Sequence, residues 1–233
     1  VGNGSSSVGD FDGDGDLDLL ITGQRGNGNE TAKIYINDDG TFDGSGSADD
    51  ALKKVRISSS SVGDFDGDGD LDLLITGQRG NGNETAKIYT NDGSGTFSQA
   101  GTADDALTGV EKSSTSVEDF DGDGDLDLLI TGRRGSTNRT AKIYTNDGNG
   151  TFTEDTSQSL TGVEEGSSSV EDFDGDGDLD LLITGLGGTG FGGFQTAKIY
   201  ENTSTTTLTV EGTADTGNDT GWRMLGAPGA ITR

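Results

Sequence analysis

The chain has 233 residues, of which 42 are acidic and 15 basic, giving a formal net charge of −27, and it contains neither histidine nor cysteine. This excludes zinc fingers, imidazole acid/base catalysis, thiol nucleophiles and disulfides, and leaves oxygen as the ligand for any metal. The acidity also argues against nucleic acid or an anionic membrane surface as a partner, and no apolar run approaches the roughly 20 residues that span a bilayer.

A start at Val1 rather than Met is expected of a mature form or a fragment from which any export signal has been removed. The first informative segment follows at Asp10, where the nonapeptide Asp-Phe-Asp-Gly-Asp-Gly-Asp-Leu-Asp begins. It recurs at Asp64, Asp119 and Asp172, at spacings of 54, 55 and 53 residues. A period of this size means one supersecondary unit per repeat. The repeats span about 1–50, 51–105, 106–160 and 161–211, and together form one domain. Residues 212–233 break the pattern, contain the sole Trp, Met and Pro, and read as a linker or closing segment.

The second repeat shows the grammar most clearly. Ser59 to Phe65 alternates small polar and apolar residues and leads into the acidic loop. Leu71-Asp72-Leu73-Leu74-Ile75-Thr76, closed by Gly77, predicts a mostly buried strand. The polar, glycine-rich stretch Gln78–Glu84 connects it to Thr85-Ala86-Lys87-Ile88-Tyr89-Thr90. Period-two alternation there places Ala86, Ile88 and Thr90 on one face and Lys87 and Tyr89 on the other. The recurring Lys-Ile-Tyr segments, with Lys33, Lys87, Lys142 and Lys198, predict lysines and adjacent tyrosines lying across an outer face. Asn91-Asp92-Gly93 predicts a hairpin turn, and Gly95-Thr96-Phe97-Ser98 a short fourth strand. Phe42 and Phe152 mark that strand in the first and third repeats, and Thr207-Leu208-Thr209-Val210 replaces it in the fourth. No amphipathic 3.6-residue pattern predicts a helix outside the connectors 49–54 and 103–107. Four antiparallel strands per repeat is the expected unit, and radial closure, which protects strand edges, favours a β-propeller over a flat stack.

In the acidic loops, carboxylates fall at positions 1, 3, 5, 7 and 9. These are Asp10, Asp12, Asp14, Asp16 and Asp18, then Asp64, Asp66, Asp68, Asp70 and Asp72. The third and fourth sets are Asp119, Asp121, Asp123, Asp125 and Asp127, and Asp172, Asp174, Asp176, Asp178 and Asp180. Alternate residues point to one centre, a glycine at position 6 allows the sharp turn, and position 7 supplies its backbone carbonyl, so a hard cation can be ringed by oxygen. Calcium fits better than magnesium, which needs stricter octahedral geometry, and about one ion per repeat, four in total, is expected. An EF-hand would need Glu at position 12, where the chain has Ile21, Ile75, Ile130 and Ile183. The loop is therefore expected to join two strands.

With this motif in all four repeats, the chain over residues 5–211 resembles the FG-GAP and VCBS repeats of integrin-α-like β-propellers, whose blades carry a D-x-D-x-D-G-x-x-D calcium loop between their first and second strands. The resemblance implies an all-β propeller of four-stranded antiparallel blades and structural calcium. It further implies an extracellular or cell-surface location and a role in adhesion or ligand binding, while the tail segment Gly221-Trp222-Arg223-Met224-Leu225 resembles one that follows repeat regions in secreted bacterial surface proteins. Two features depart from the family. There are four repeats rather than the usual seven, and Ile-Thr-Gly followed by Gln, Arg or Leu stands where the GAP tripeptide would be.

In such blades the calcium loop and the turn between strands three and four share one face. The opposite face carries Gln24–Glu30, Gln78–Glu84, Arg133–Arg139 and Leu186–Gln195. Arg25, Arg79, Arg133 and Arg134 on these loops could read carboxylates or sugar hydroxyls, or serve only to offset the acidity. Phe191 and Phe194 could stack on a sugar ring or pack on a neighbouring blade. Three functions fit: a non-enzymatic adhesion or interaction module with a protein or glycan ligand on a cell surface or matrix, a carbohydrate-binding lectin, or a structural spacer that self-associates. No constellation for catalysis stands outside the metal loops.

Overall fold

The computed structural model describes residues 1–44, 51–101, 106–188, 193–203 and 207–211. Every regular element among them is a β-strand. The expectations for the tail 212–233, for Phe191 and for connector positions 49–50 and 103–105 lie outside the described residues, and the described parts of those connectors contain no helix.

Four antiparallel meanders follow one another. The first contains β1 (Ser6–Gly9), β2 (Asp18–Gln24), β3 (Glu30–Asp38) and β4 (Thr41–Asp43). The second contains β5 (Arg56–Gly63), β6 (Asp72–Gln78), β7 (Glu84–Asn91) and β8 (Phe97–Gln99). The third runs through β9 (Glu111–Glu118), β10 (Asp127–Arg134), β11 (Asn138–Asn146) and β12 (Phe152–Glu154). The fourth has β13 (Val163–Glu171), β14 (Asp180–Gly187), β15 (Phe194–Thr203) and β16 (Thr207–Glu211). Between successive units, strand three of one bridges to the start of strand one of the next, Thr31 with Val55, Thr85 with Val110, and Thr140 with Val163. At the first boundary Gly23 N and Ile57 N also donate to Val55 O and Asn3 O at 3.2 and 2.6 Å. Among the described residues no strand pairing joins the first unit to the fourth, and no closed ring is formed.

The hairpin after β7 is longer than the Asn-Asp-Gly signal suggests. Asn91 pairs with Phe97, and Asp92 N donates to Thr96 O at 3.2 Å. The Asp92 carboxylate organises the intervening loop by accepting from Ser94 N and Oγ at 3.0 and 2.7 Å. In the first unit the turn is the tight one, Asp39-Gly40, with φ of 50° and 87° at its two residues.

Cores form between the units. Phe11, Leu20, Ala32 and Ile34 of the first unit pack against Leu73, Ile75, Tyr89 and Phe97 of the second, with Phe11 edge-on to Phe97 at 5.7 Å. The same arrangement recurs at the second boundary, where Phe65 meets Phe152 at 5.8 Å. The third boundary buries Leu129, Ile143, Leu181, Ile183 and Tyr200. This corrects the expected outer-face position of the tyrosines. Tyr89, Tyr144 and Tyr200 are fully buried, and each hydroxyl accepts from a connector amide, Lys53 N, Thr108 N or Thr161 N, at 2.8–2.9 Å. A middle strand with a unit stacked on each side has two buried faces, so alternation separates the two cores rather than core from solvent. The lysines between them stay half-exposed, as with Lys142, which pairs with Glu154 at 2.7 Å.

First strands lie side by side through hydroxyls. Ser7 and Ser60 are 2.7 Å apart, Ser61 and Thr115 2.6 Å, and Ser116 and Ser168 2.7 Å. Each first strand also bulges where it leaves its own sheet. The residues there, Asn3, Ile57, Lys112 and Glu165, have φ of 50–51°. Gly77 lies across from the bulge at φ 150°, and a Cβ on it would come within 2.9 Å of Arg56 O. A β-branched residue is strained in this left-handed conformation, by about 1–2 kcal/mol. Asn3 occupies the same place without that penalty, so Ile57→Asn is expected to raise stability by about 1 kcal/mol. A lower urea midpoint would show that the Ile57 side chain contributes more by packing than its backbone costs.

Candidate metal centre

Each acidic loop joins strands one and two of its unit, between Gly9 and Asp18 in the first case. Its shape is set by carboxylates accepting from the loop's own backbone. The position-1 oxygens of Asp10 accept from Gly13 N and Gly15 N at 2.8 and 3.0 Å. Asp64, Asp119 and Asp172 repeat this pair of contacts. Gly15 and its counterparts have φ of 97–99°, the turn that position 6 requires. The position-5 groups Asp14, Asp68, Asp123 and Asp176 are exposed, and each accepts from the amide two residues on. Asp16, Asp70, Asp125 and Asp178 at position 7 are half-buried.

The last aspartate behaves differently. Asp18, Asp72, Asp127 and Asp180 are completely buried. One oxygen of each accepts from the amide of the loop phenylalanine, at 2.7–3.0 Å. The other accepts from the asparagine amide in strand three, Asn37, Asn91, Asn146 or Asn202, at 2.7–2.9 Å. A single side chain thus ties the loop to strand three. The asparagine extends the link to the preceding unit: Asn91 Nδ2 donates to Phe11 O at 2.8 Å and Asn146 Nδ2 to Phe65 O at 2.9 Å.

Three carboxylates converge in every loop. One oxygen each from Asp10, Asp12 and Asp18 lies within 4.8 Å of the others, and the sets Asp64/Asp66/Asp72, Asp119/Asp121/Asp127 and Asp172/Asp174/Asp180 do the same. Positions 5 and 7 are not part of these triads. Like charges this close raise one another's proton affinity. Asp12, Asp66, Asp121 and Asp174 are each shifted above the usual carboxylate range, first by desolvation and then by neighbouring aspartates. Burial pushes Asp72 and Asp127 up to about 6, although their backbone donors pull the other way. Asp66 Oδ1 is buried with no hydrogen-bond partner. An orphaned anionic oxygen beside two more carboxylates is complementary to a hard cation, so the donor set fits one.

Without metal, the sign of the pH dependence follows. Asp72 and Asp127 have folded-state pKa values above that of an unfolded aspartate, so between about pH 4 and 6 the folded state holds more protons and stability falls as pH rises. The chelated protein is expected to melt at higher temperature near pH 4.5 than at pH 7. Calcium binding to the ionised triads would reverse the slope. Parallel slopes in the two series would separate the triads from cation binding.

The strand two to three loops gather at the other end of the units. Arg25 is exposed and its Nη2 donates to Thr31 Oγ1 at 3.2 Å. Arg79 lines a shallow cavity of about 370 Å³ with Glu30, Lys53, Lys54 and Asn81. Arg133 and Arg134 lie at the end of β10 rather than in a loop, and only Arg134 is exposed. Arg133 is held by Glu111, 2.5 Å from Nη2, and by Glu164 at 3.3 Å. Glu164 also pairs with the nearly buried Arg139 at 2.6 Å. This buried ion-pair network at the third boundary was not foreseen. Glu111 and Glu164 sit near strand starts, and nothing in their local sequence marks them as partners of arginines 22 to 31 residues away.

The model of the FG-GAP-like repeat matches residues 10–75, 64–130 and 119–183, about three quarters of the chain. The chain belongs to the FG-GAP-like repeat family. Each match runs from one acidic loop to the second strand of the next unit, so the loops and the boundaries built on Phe11, Phe65 and Phe120 are part of the repeat itself. FG-GAP-like repeats are typical of extracellular, non-enzymatic modules. No curated protein matches the chain.

Proposed function

We propose that this FG-GAP-like repeat protein is a calcium-stabilised β-propeller module that works outside the cell by holding a protein or glycan ligand, without catalysing a reaction. One observation carries the reading: four equivalent aspartate triads, each containing a buried residue that binds the loop to strand three. Calcium would be held by Asp10, Asp12 and Asp18 and their counterparts, one ion per blade. It would supply the charge that lets these carboxylates stay ionised at close quarters. Loss of the ion would loosen the blade from within.

The ligand surface on this reading is the opposite end, with Arg25, Arg79 and Arg134 against an acidic background. Sugar binding is favoured specifically by Phe194, a large aromatic residue that is 56% exposed. It borders Gly188, whose carbonyl accepts from Arg139 Nη1 at 2.9 Å. The test is binding of the calcium-loaded protein to a broad array of glycans and matrix proteins, repeated with Arg25→Ala/Arg79→Ala and with Phe194→Ala. Saturable binding lost in either variant supports a ligand site at this end. No binding by a folded, calcium-loaded sample would leave a structural role in its place.

A further inference from the structure

Every internal boundary is built from the same two half-surfaces. The trailing half of a unit is Phe11, Leu20, Ala32 and Ile34 in the first, and the leading half is Val62, Leu71, Leu73, Ile75, Tyr89 and Phe97 in the second. Asn91 Nδ2 crosses this boundary to Phe11 O. The equivalents recur at the next two boundaries.

Two half-surfaces have no mate among the described residues. On the leading face of the first unit, Val8, Leu17 and Phe42 are 52%, 59% and 48% exposed, whereas their counterparts Val62 and Leu71 are packed and Phe97 is buried. On the trailing face of the fourth unit, Phe173 and Ile199 are 46% and 40% exposed, whereas Phe11 and Ile34 are buried. The polar link is also halved. Asn37 Nδ2 reaches only the carbonyl of Leu17 in its own unit, at 3.2 Å, and no asparagine amide meets Phe173 O among the described residues. Large apolar side chains left exposed at positions whose equivalents are packed at the first two internal boundaries mark an interface.

We propose that copies of this chain associate head to tail, the leading face of the first unit in one copy seating on the trailing face of the fourth unit in the next. A second copy is the occupant because each exposed half carries the apolar residue types and the hydrogen-bonding partner that the other half meets three times inside the chain. The contact is heterologous, so the rotation between copies decides whether it closes into a ring or continues. It stands on the packing of the units and does not depend on the ligand reading.

The test is sedimentation velocity of the calcium-loaded 233-residue chain over a range of concentrations, in enough salt to screen its negative charge. The wild type is expected to sediment as a dimer or larger. Val8→Glu blocks the leading face and Ile199→Glu the trailing face. Both residues are exposed and lie on strands outside the acidic loops, so calcium binding and the circular dichroism spectrum should be retained. Each variant alone is expected to be monomeric. An equal mixture of the two is expected to form a 1:1 dimer and nothing larger, because one intact pair of faces remains. A monomeric wild type, variants that associate as the wild type does, or a mixture that stays monomeric would each overturn the proposal.

Discussion

Excess chelator is expected to lower the melting temperature of the protein by about 20 °C or more. A ligand present at 100 times its Kd and bound only by the folded state stabilises by about 2.7 kcal/mol, so four such sites contribute on the order of 10 kcal/mol. For a chain of this length each kcal/mol moves Tm by about 2–4 °C. The structural cause is local. Every loop places five carboxylates within nine residues, and three of them converge within 4.8 Å. Only a cation removes that repulsion at neutral pH. Because the units contact mainly their neighbours, the chelated protein should melt over a broader range, unit by unit, rather than in one sharper step. Calorimetry in millimolar calcium and in excess chelator makes the comparison. Superimposable curves would reject the metal centre altogether.

The second large effect is expected at Asp127. Its two oxygens accept from Phe120 N and Asn146 N, at 2.9 and 2.8 Å, in a completely buried position. Asp127→Ala leaves the buried Asn146 amide and the partly buried Phe120 amide without acceptors, at about 1–3 kcal/mol each. It also frees Asn146, whose Nδ2 spans to Phe65 O, so the second boundary loosens along with the third unit. Asp123→Ala removes an exposed carboxylate that accepts from the Asp125 amide at 3.0 Å. In calcium Asp127→Ala, which removes a triad member, should weaken the third site strongly, and Asp123→Ala, which removes only a neighbouring negative charge, should weaken it less. In chelator they should separate, with Asp127→Ala remaining about 4 kcal/mol less stable than the parent chain and Asp123→Ala within about 1 kcal/mol of it. Urea denaturation of the chelated proteins reads the difference. Equal losses there would mean that the buried aspartate acts only as a ligand and not as the tie between loop and strand three.

The acidic loops, the strands on either side of them and the short fourth strands could be read directly from the residues, because the physics that makes them is local. Glycine at position 6 takes φ near 98°, carboxylates accept from amides a few residues away, and β-branched runs form strands. What could not be read was how differently the five aspartates of a loop are placed. All five alternate in the same way, yet the position-9 residue is buried by strand three while the position-5 residue faces solvent. Arg133 shows the same limit: its partners Glu111 and Glu164 come from the start of its own unit's first strand and from the next unit.

By itself, then, the sequence determined the four-fold repetition, the order of strands within a unit, the oxygen-only chemistry of the loops and the family. The tertiary structure alone decided that Tyr89, Tyr144 and Tyr200 lie in cores, that serines zip the first strands together, and that Val8 and Ile199 stand exposed where their counterparts are buried. The reason is that alternation within one unit specifies two faces of a sheet but not what covers them. Covering is a property of neighbouring units, set by contacts between residues some 50 or more positions apart.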